Sequence, residues 1–154
     1  MLKIKLYRLM NKPKELVEVI NQNLRSIPKL DLPGILYLRL FTRVQQGDDQ
    51  AILGAMDQDL KSLEGRAEEG EAVLIFVTVL NRVGKKEKAL SVLEAYIKDK
   101  KNSKQLMMAK VQLSQLYIDI GNYKKAESVL KDLTQVKNLK KELGKVAYQQ
   151  ILFN

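Results

Sequence analysis

Four residues that tolerate a left-handed backbone, Asn11, Gly47, Gly84 and Gly121, recur 36, 37 and 37 residues apart. Each separates one run of apolar residues at helical spacing from the next, so each reads as a corner that ends a helix. The surroundings of the corners repeat as well. Four residues earlier stand Tyr7, Arg43, Leu80 and Tyr117; five residues later stand Leu16, Ile52, Ala89 and Ala126; four beyond those stand Ile20, Met56, Leu93 and Leu130. A chain built this way is a series of helical hairpins. One hairpin cannot bury its own apolar stripe, so neighbours must stack on it. An irregular helix bundle would bury the same Ala and Leu residues without keeping the spacing even.

Periodicity and punctuation predict an all-α chain. Residues 2–9 (LKIKLYRL) form a short helix with Leu2, Leu6 and Leu9 on one face. Pro13 suits the first turn of the next helix, and Ile27-Pro28 closes it. Asp31 is the expected N-cap, and Pro33 an early position, of a helix ending near Gln46. Asp48-Asp49 opens a fourth helix that runs to about Glu64-Gly65. Residues 71–83 are apolar on nearly every side; a strand rich in Val and Ile is the competing reading, but the following Gly84 corner and the clearly amphipathic KKEKALSVLEAYIKD favour a buried helix. Residues 86–98 continue that hairpin. Gln112–Leu133 holds the best-formed corner, and residues 139–152 make a ninth helix. The expected organisation is one domain over residues 1–154, with hairpins at about 1–30, 31–69, 70–104 and 105–138 and a capping helix over 139–154.

The pattern resembles the tetratricopeptide repeat family, which places a Leu and a Tyr on its first helix, Gly or Asn at the corner and a small Ala on its second helix. The last unit carries it in Leu113, Tyr117, Gly121, Tyr123, Ala126 and Leu130, and the third in Phe76, Leu80, Gly84, Ala89 and Leu93. The first two units depart from it: Arg43 stands at a Tyr position and Leu16 at an Ala position. The period also exceeds the family's usual length of about 34 residues. The resemblance implies a right-handed α–α superhelix of about four hairpins plus the capping helix, with the first helix of each hairpin lining a groove. The residues it places there are Tyr37, Phe41, Leu74, Thr78, Asn81, Arg82, Met108, Val111, Gln115 and Asp119. Such a groove would take a peptide or helix of a partner protein. Some members clamp acidic chaperone tails with Lys and Asn, but the matching positions Tyr37, Phe41, Leu74, Thr78, Val111 and Gln115 contain neither.

Chemistry is constrained by absence. The chain has no Cys and no His, which removes disulfides, thiol chemistry, structural zinc of the usual kind and His-based acid–base catalysis. No Ser lies in a Gly-rich elbow, and Gly84-Lys85 lacks the rest of a phosphate-binding loop. We therefore expect no enzyme and no cofactor. No apolar run reaches the roughly 18–20 residues of a membrane span, and the N-terminus lacks a signal-peptide pattern, so a cytoplasmic location is expected.

The net charge of +9 gives a second functional reading. Residues 1–77 are balanced at 11 basic and 11 acidic, whereas residues 78–154 carry 16 against 7. Lys85, Lys86, Lys88, Lys124 and Lys125 sit at two corners and form a candidate basic edge; Lys98, Lys100, Lys101, Lys104, Lys137, Lys140 and Lys141 form another. They suit an acidic protein, RNA or another anionic surface, although the scarcity of Arg and of interleaved aromatics argues against sequence-specific reading. The alternative is a solvated lysine face.

Overall fold

The computed structural model describes residues 2–98 and 104–135. Among these there are eight α-helices, one 3-10 turn and no strand: α1 (Leu2–Leu9), α2 (Pro13–Asn23), the turn Leu24–Ser26, α3 (Leu32–Gln46), α4 (Asp49–Leu63), α5 (Glu69–Arg82), α6 (Lys86–Lys98), α7 (Lys104–Asp119) and α8 (Tyr123–Thr134). The chain divides into two compact units, one through Ala72 and one from Val73 onward. The expected ninth helix, the capping helix 139–154, and Lys100, Lys101, Lys137, Lys140 and Lys141 lie outside the described residues.

The four corners are built alike. Asn11, Gly47, Gly84 and Gly121 have φ of 51°, 68°, 76° and 76°. Immediately after them, the N–H groups of Lys12, Asp48, Lys85 and Asn122 donate to the carbonyls of Tyr7, Arg43, Leu80 and Tyr117 at 2.8–3.1 Å. The corner residue itself donates three residues back, to Arg8, Val44, Asn81 and Ile118. This pair of bonds is the Schellman ending, which satisfies two of the carbonyls a helix terminus leaves unpaired and reverses the chain within two residues. The next helix starts at once. Asp48 and Asn122 accept from the N–H groups of Ala51 and Lys125, at 3.1 and 3.3 Å, and so cap α4 and α8. At the same position Lys12 makes no side-chain cap; Pro13 instead opens α2 with one fewer unpaired N–H in its first turn.

In the first unit, α1 packs on α2, α2 on α3 and α3 on α4. Ile4, Leu16, Ile20 and Ile35 form a buried cluster, with Tyr7, Val19, Leu24, Ile27 and Leu38 against it. Leu2, Leu6 and Leu9 share a face of α1, as their spacing implies; that face is exposed, and Ile4 on the opposite side is the buried residue. Asp31 occupies the N-cap position of α3 without a side-chain capping bond. Further along, Ile52, Met56 and Leu63 line the buried side of α4.

In the second unit, α7 packs on both α6 and α8. The small Ala89, Ala109 and Ala126 are buried, as are Leu93, Leu106, Leu113, Leu116 and Leu133. Leu130 is only half-buried; Leu133, three residues on, takes the interior position of α8. Residues 71–82 are helical rather than extended, and α5 begins two residues earlier than expected, at Glu69, and ends at Arg82. Its Ala72, Val73, Phe76, Val77, Val79 and Leu80 are all buried.

The corners yield a stability prediction. A Cβ added at Gly121 meets nothing within 4 Å, so Gly121→Ala is disfavoured by its φ of +76° alone. The loss is about 1 kcal/mol, the left-handed penalty less the gain from a stiffer unfolded chain. Gly121→Asn loses less, because Asn tolerates this region, as Asn11 already does. Urea denaturation midpoints of the three proteins give the ranking.

Candidate functional site

On α3, Tyr37 and Phe41 lie four residues apart and therefore on one face. Their rings stack with centroids 6.5 Å apart and an interplanar angle of 28°. Tyr37 is half-buried, and Phe41 is 45% exposed, a large apolar ring left in water. A hydrogen bond to Glu71, with burial and the Glu71 charge adding to it, raises the Tyr37 hydroxyl from its ordinary 10.0 to about 12. Beside this pair a cleft of about 140 Å³ opens between α1, the start of α2 and α3; Tyr7, Arg8, Lys12, Leu38, Phe41 and Gln45 are among its walls. An aromatic and aliphatic wall with two cations at the rim suits an apolar side chain that has a carboxylate near it.

The opposite side of α3 is a buried polar staple that no pattern in the sequence announces. Arg39, 5% exposed, donates from Nη1 to Asn21 Oδ1 at 2.9 Å and from Nη2 to Asp59 Oδ1 at 2.5 Å. One side chain thereby ties α2, α3 and α4 together. Arg43, one turn on, donates to the Ala51 carbonyl at 3.1 Å. Burial, with Arg39 close by, lowers the Arg43 guanidinium from its ordinary value. Burial also raises the Asp59 carboxyl, against the opposing pull of Arg39 and Arg43. The Nε atoms of both arginines are buried without a protein partner. Arg39 borders a cavity of about 110 Å³ walled by Leu24, Leu32 and Leu36 as well as by Arg25, Gln58, Asp59 and Ser62. A larger open cleft of about 500 Å³ lies between α2 and the corner before α4, with Lys14, Val17, Glu18 and Asp48 in its walls. It mixes both signs of charge.

The second unit presents a different surface. Of the groove residues named from sequence, Thr78, Asn81, Arg82, Gln115 and Asp119 are exposed, Leu74 and Met108 are half-buried, and Val111 is buried. Gln112 Nε2 donates to Thr78 Oγ1 at 3.5 Å, joining α5 to α7, and Gln115 donates to Asp119 at 2.9 Å. This face is polar, whereas that of α3 is aromatic. At the corners Lys85, Lys88, Lys124 and Lys125 are exposed and Lys86 is half-buried. The Lys125 ammonium lies 5.2 Å from the centre of the Tyr117 ring. The Tyr117 hydroxyl donates to the Glu94 carboxylate, linking α7 to α6. Burial first, and then Glu94, raises this hydroxyl from 10.0 to about 12. Among the described residues no group of three or more acidic side chains could hold a metal ion, and no helix is long and apolar enough to cross a membrane.

Two measurements check the energetics. Asp59→Ala leaves the Arg39 charge buried and uncompensated and costs about 3–5 kcal/mol, whereas Arg39→Met with Asp59→Leu falls within about 1–4 kcal/mol of the wild type, on the stable side where the pair packs well; denaturant titration of the three proteins separates the cases. The raised Tyr117 hydroxyl contributes stability that is complete below pH 10, its unfolded value, and is lost as the pH rises from 10 toward about 12. Tyr117→Phe is therefore less stable than the wild type at pH 8 and loses less further stability by pH 12, read from urea midpoints at the two pH values.

The chain matches no family model, and no curated protein gives a significant match.

Proposed function

We propose that this chain is a non-enzymatic adaptor of the tetratricopeptide-like kind, which binds a peptide or helical segment of a partner protein on the faces of its hairpin-opening helices. The observation that carries the reading is the stacked Tyr37–Phe41 pair with Phe41 in the wall of the α1–α3 cleft. A soluble helix has no packing reason to leave such a ring half in water, and aromatic anchors are the residues that dominate protein interfaces. Arg8 and Lys12 at the rim favour a partner segment that carries acids beside its apolar anchor. Four corners with identical backbone bonding at a near-constant interval support the repeat reading.

A second reading rests on the exposed corner lysines, Lys85, Lys88, Lys124 and Lys125, in the half of the chain that holds the whole charge surplus. In it those lysines bind RNA or another polyanion through phosphates.

Affinity capture from the source cell with wild-type, Phe41→Ala and Lys85→Glu/Lys124→Glu/Lys125→Glu baits separates the two. The adaptor reading expects Phe41→Ala to weaken the captured protein about 30-fold, the scale of an interface hot spot of ~2 kcal/mol, with modest salt dependence. The lysine variant should retain it. The reverse pattern, with nucleic acid in the eluate and a log–log salt slope near −0.7 per phosphate contacted, would establish the second reading and end the first.

A further inference from the structure

The first helix has its polarity turned inside out. Ile4 faces the core at 4% exposure, and Tyr7 packs beside it. On the other side Leu2 is 83% exposed, Leu6 50%, Leu9 85% and, just past the helix, Met10 52%. At about 100° per residue these four fall within an arc of roughly 100°. Lys3 lies at one margin of the arc and Lys5 at the other, with Arg8 beyond Lys5, and all three are exposed. The helix LKIKLYRL contains no acid. Single exposed leucines need no account, but a contiguous apolar stripe on the outside of a packed helix marks an interaction site.

We propose that α1 docks this face on an anionic lipid surface, lying in the membrane plane. The charge placement is the reason. A bilayer surface offers an acyl boundary for Leu2, Leu6, Leu9 and Met10 and anionic headgroups on both sides of the helix at once. Lys3 and Lys5 can lay their stems along the apolar stripe and place their ammonium groups among those headgroups. A second copy of the chain fits poorly, because a two-fold contact through this face sets the same cations against each other. A protein groove is a weaker match too: the stripe is all Leu and Met, without the aromatic or Arg anchor such contacts favour, while Tyr7 is turned toward the core. The helix is about 12 Å long, far too short to span, so the contact is peripheral and depends on lipid charge.

The test uses the full chain with sedimenting vesicles of phosphatidylcholine alone and vesicles in which about a third of the lipid is phosphatidylserine. Binding to the anionic vesicles should exceed binding to the neutral ones by about tenfold or more, because each lysine at the surface contributes roughly fivefold. Leu6→Ser with Leu9→Ser should lower it by about tenfold or more. Both positions are half or more exposed, so the circular dichroism spectrum and urea midpoint should not change. Lys3→Glu with Lys5→Glu, a second variant without core contacts, should abolish the preference for phosphatidylserine. Three outcomes overturn the proposal. One is no binding to either vesicle. Another is binding that survives both variants but is lost in Lys124→Glu/Lys125→Glu, which assigns it to the corner lysines. The third is a lipid-free dimer, or a protein captured without lipid, that Leu6→Ser/Leu9→Ser abolishes in a chain that ignores vesicles.

Discussion

The bond on which the described helices depend is a backbone one. At each of four corners the N–H of the residue after the corner reaches five residues back, to Tyr7, Arg43, Leu80 or Tyr117. Because donor and acceptor are both main-chain, the side chain at the acceptor position is free to vary. That is why an arginine can stand where the other units have an aromatic or a leucine, and the corner still closes. What cannot vary freely is the residue between, which must take a positive φ; three of the four are Gly and the fourth is Asn. The bond also fixes the direction in which the chain leaves. The following helix starts within two residues and falls back on the one before, as α1–α2, α3–α4 and α7–α8 do. The side-chain pattern is then free to degrade over the first two units, with Leu16 and Ile52 filling places that Ala89 and Ala126 fill later, while the corner stays the same.

Much of this was legible because corners and amphipathic stripes are local. Asn11, Gly47, Gly84 and Gly121 announce themselves by residue type and interval, and residues 71–83 read as helix from their place before a corner. Three features were not legible, each for a physical reason. A helical stripe says which residues share a face but not whether the core or the solvent takes it; in α1 the isolated Ile4 and Tyr7 prevail over three leucines. The Arg39–Asp59 pair joins residues 20 positions apart on different helices, and no single-sequence period couples two such polar residues. Register places Val111 on the face named for the groove, but register does not give its burial: α7 is packed by helices on more than one side and its buried arc is wide enough to include it.

The buried staple clarifies what kind of surface α3 offers. Arg39 and Arg43 point away from Tyr37 and Phe41, into contacts with α2 and α4. Their charges are consumed internally, so the cations available at the α1–α3 cleft are Arg8 and Lys12, and Lys12 is shared loosely with Glu15 at 3.9 Å. Exposed ion pairs of this kind contribute little to stability and exchange readily for another carboxylate. A buried Arg with one unpartnered nitrogen is the opposite case. It holds three helices in register at the expense of an unsatisfied donor, and it leaves the aromatic face of α3 fixed in place while contributing nothing to that face's charge.

One helix therefore serves three surroundings. Ile4 anchors α1 in the core, Tyr7 and Arg8 border the cleft, and Leu2, Leu6 and Leu9 face outward. If both proposed contacts hold, they are adjacent but use different residues. A chain resting on lipid through the leucines would keep Phe41 and the cleft beside the headgroup layer, within reach of a partner segment at the membrane surface. Confinement to that layer raises the local concentration of both proteins without any new contact between them. It also divides the charges by role: Arg8 and Lys12, in the cleft walls, would discriminate among partner segments, whereas Lys3 and Lys5, at the margins of the leucine stripe, respond to the lipid.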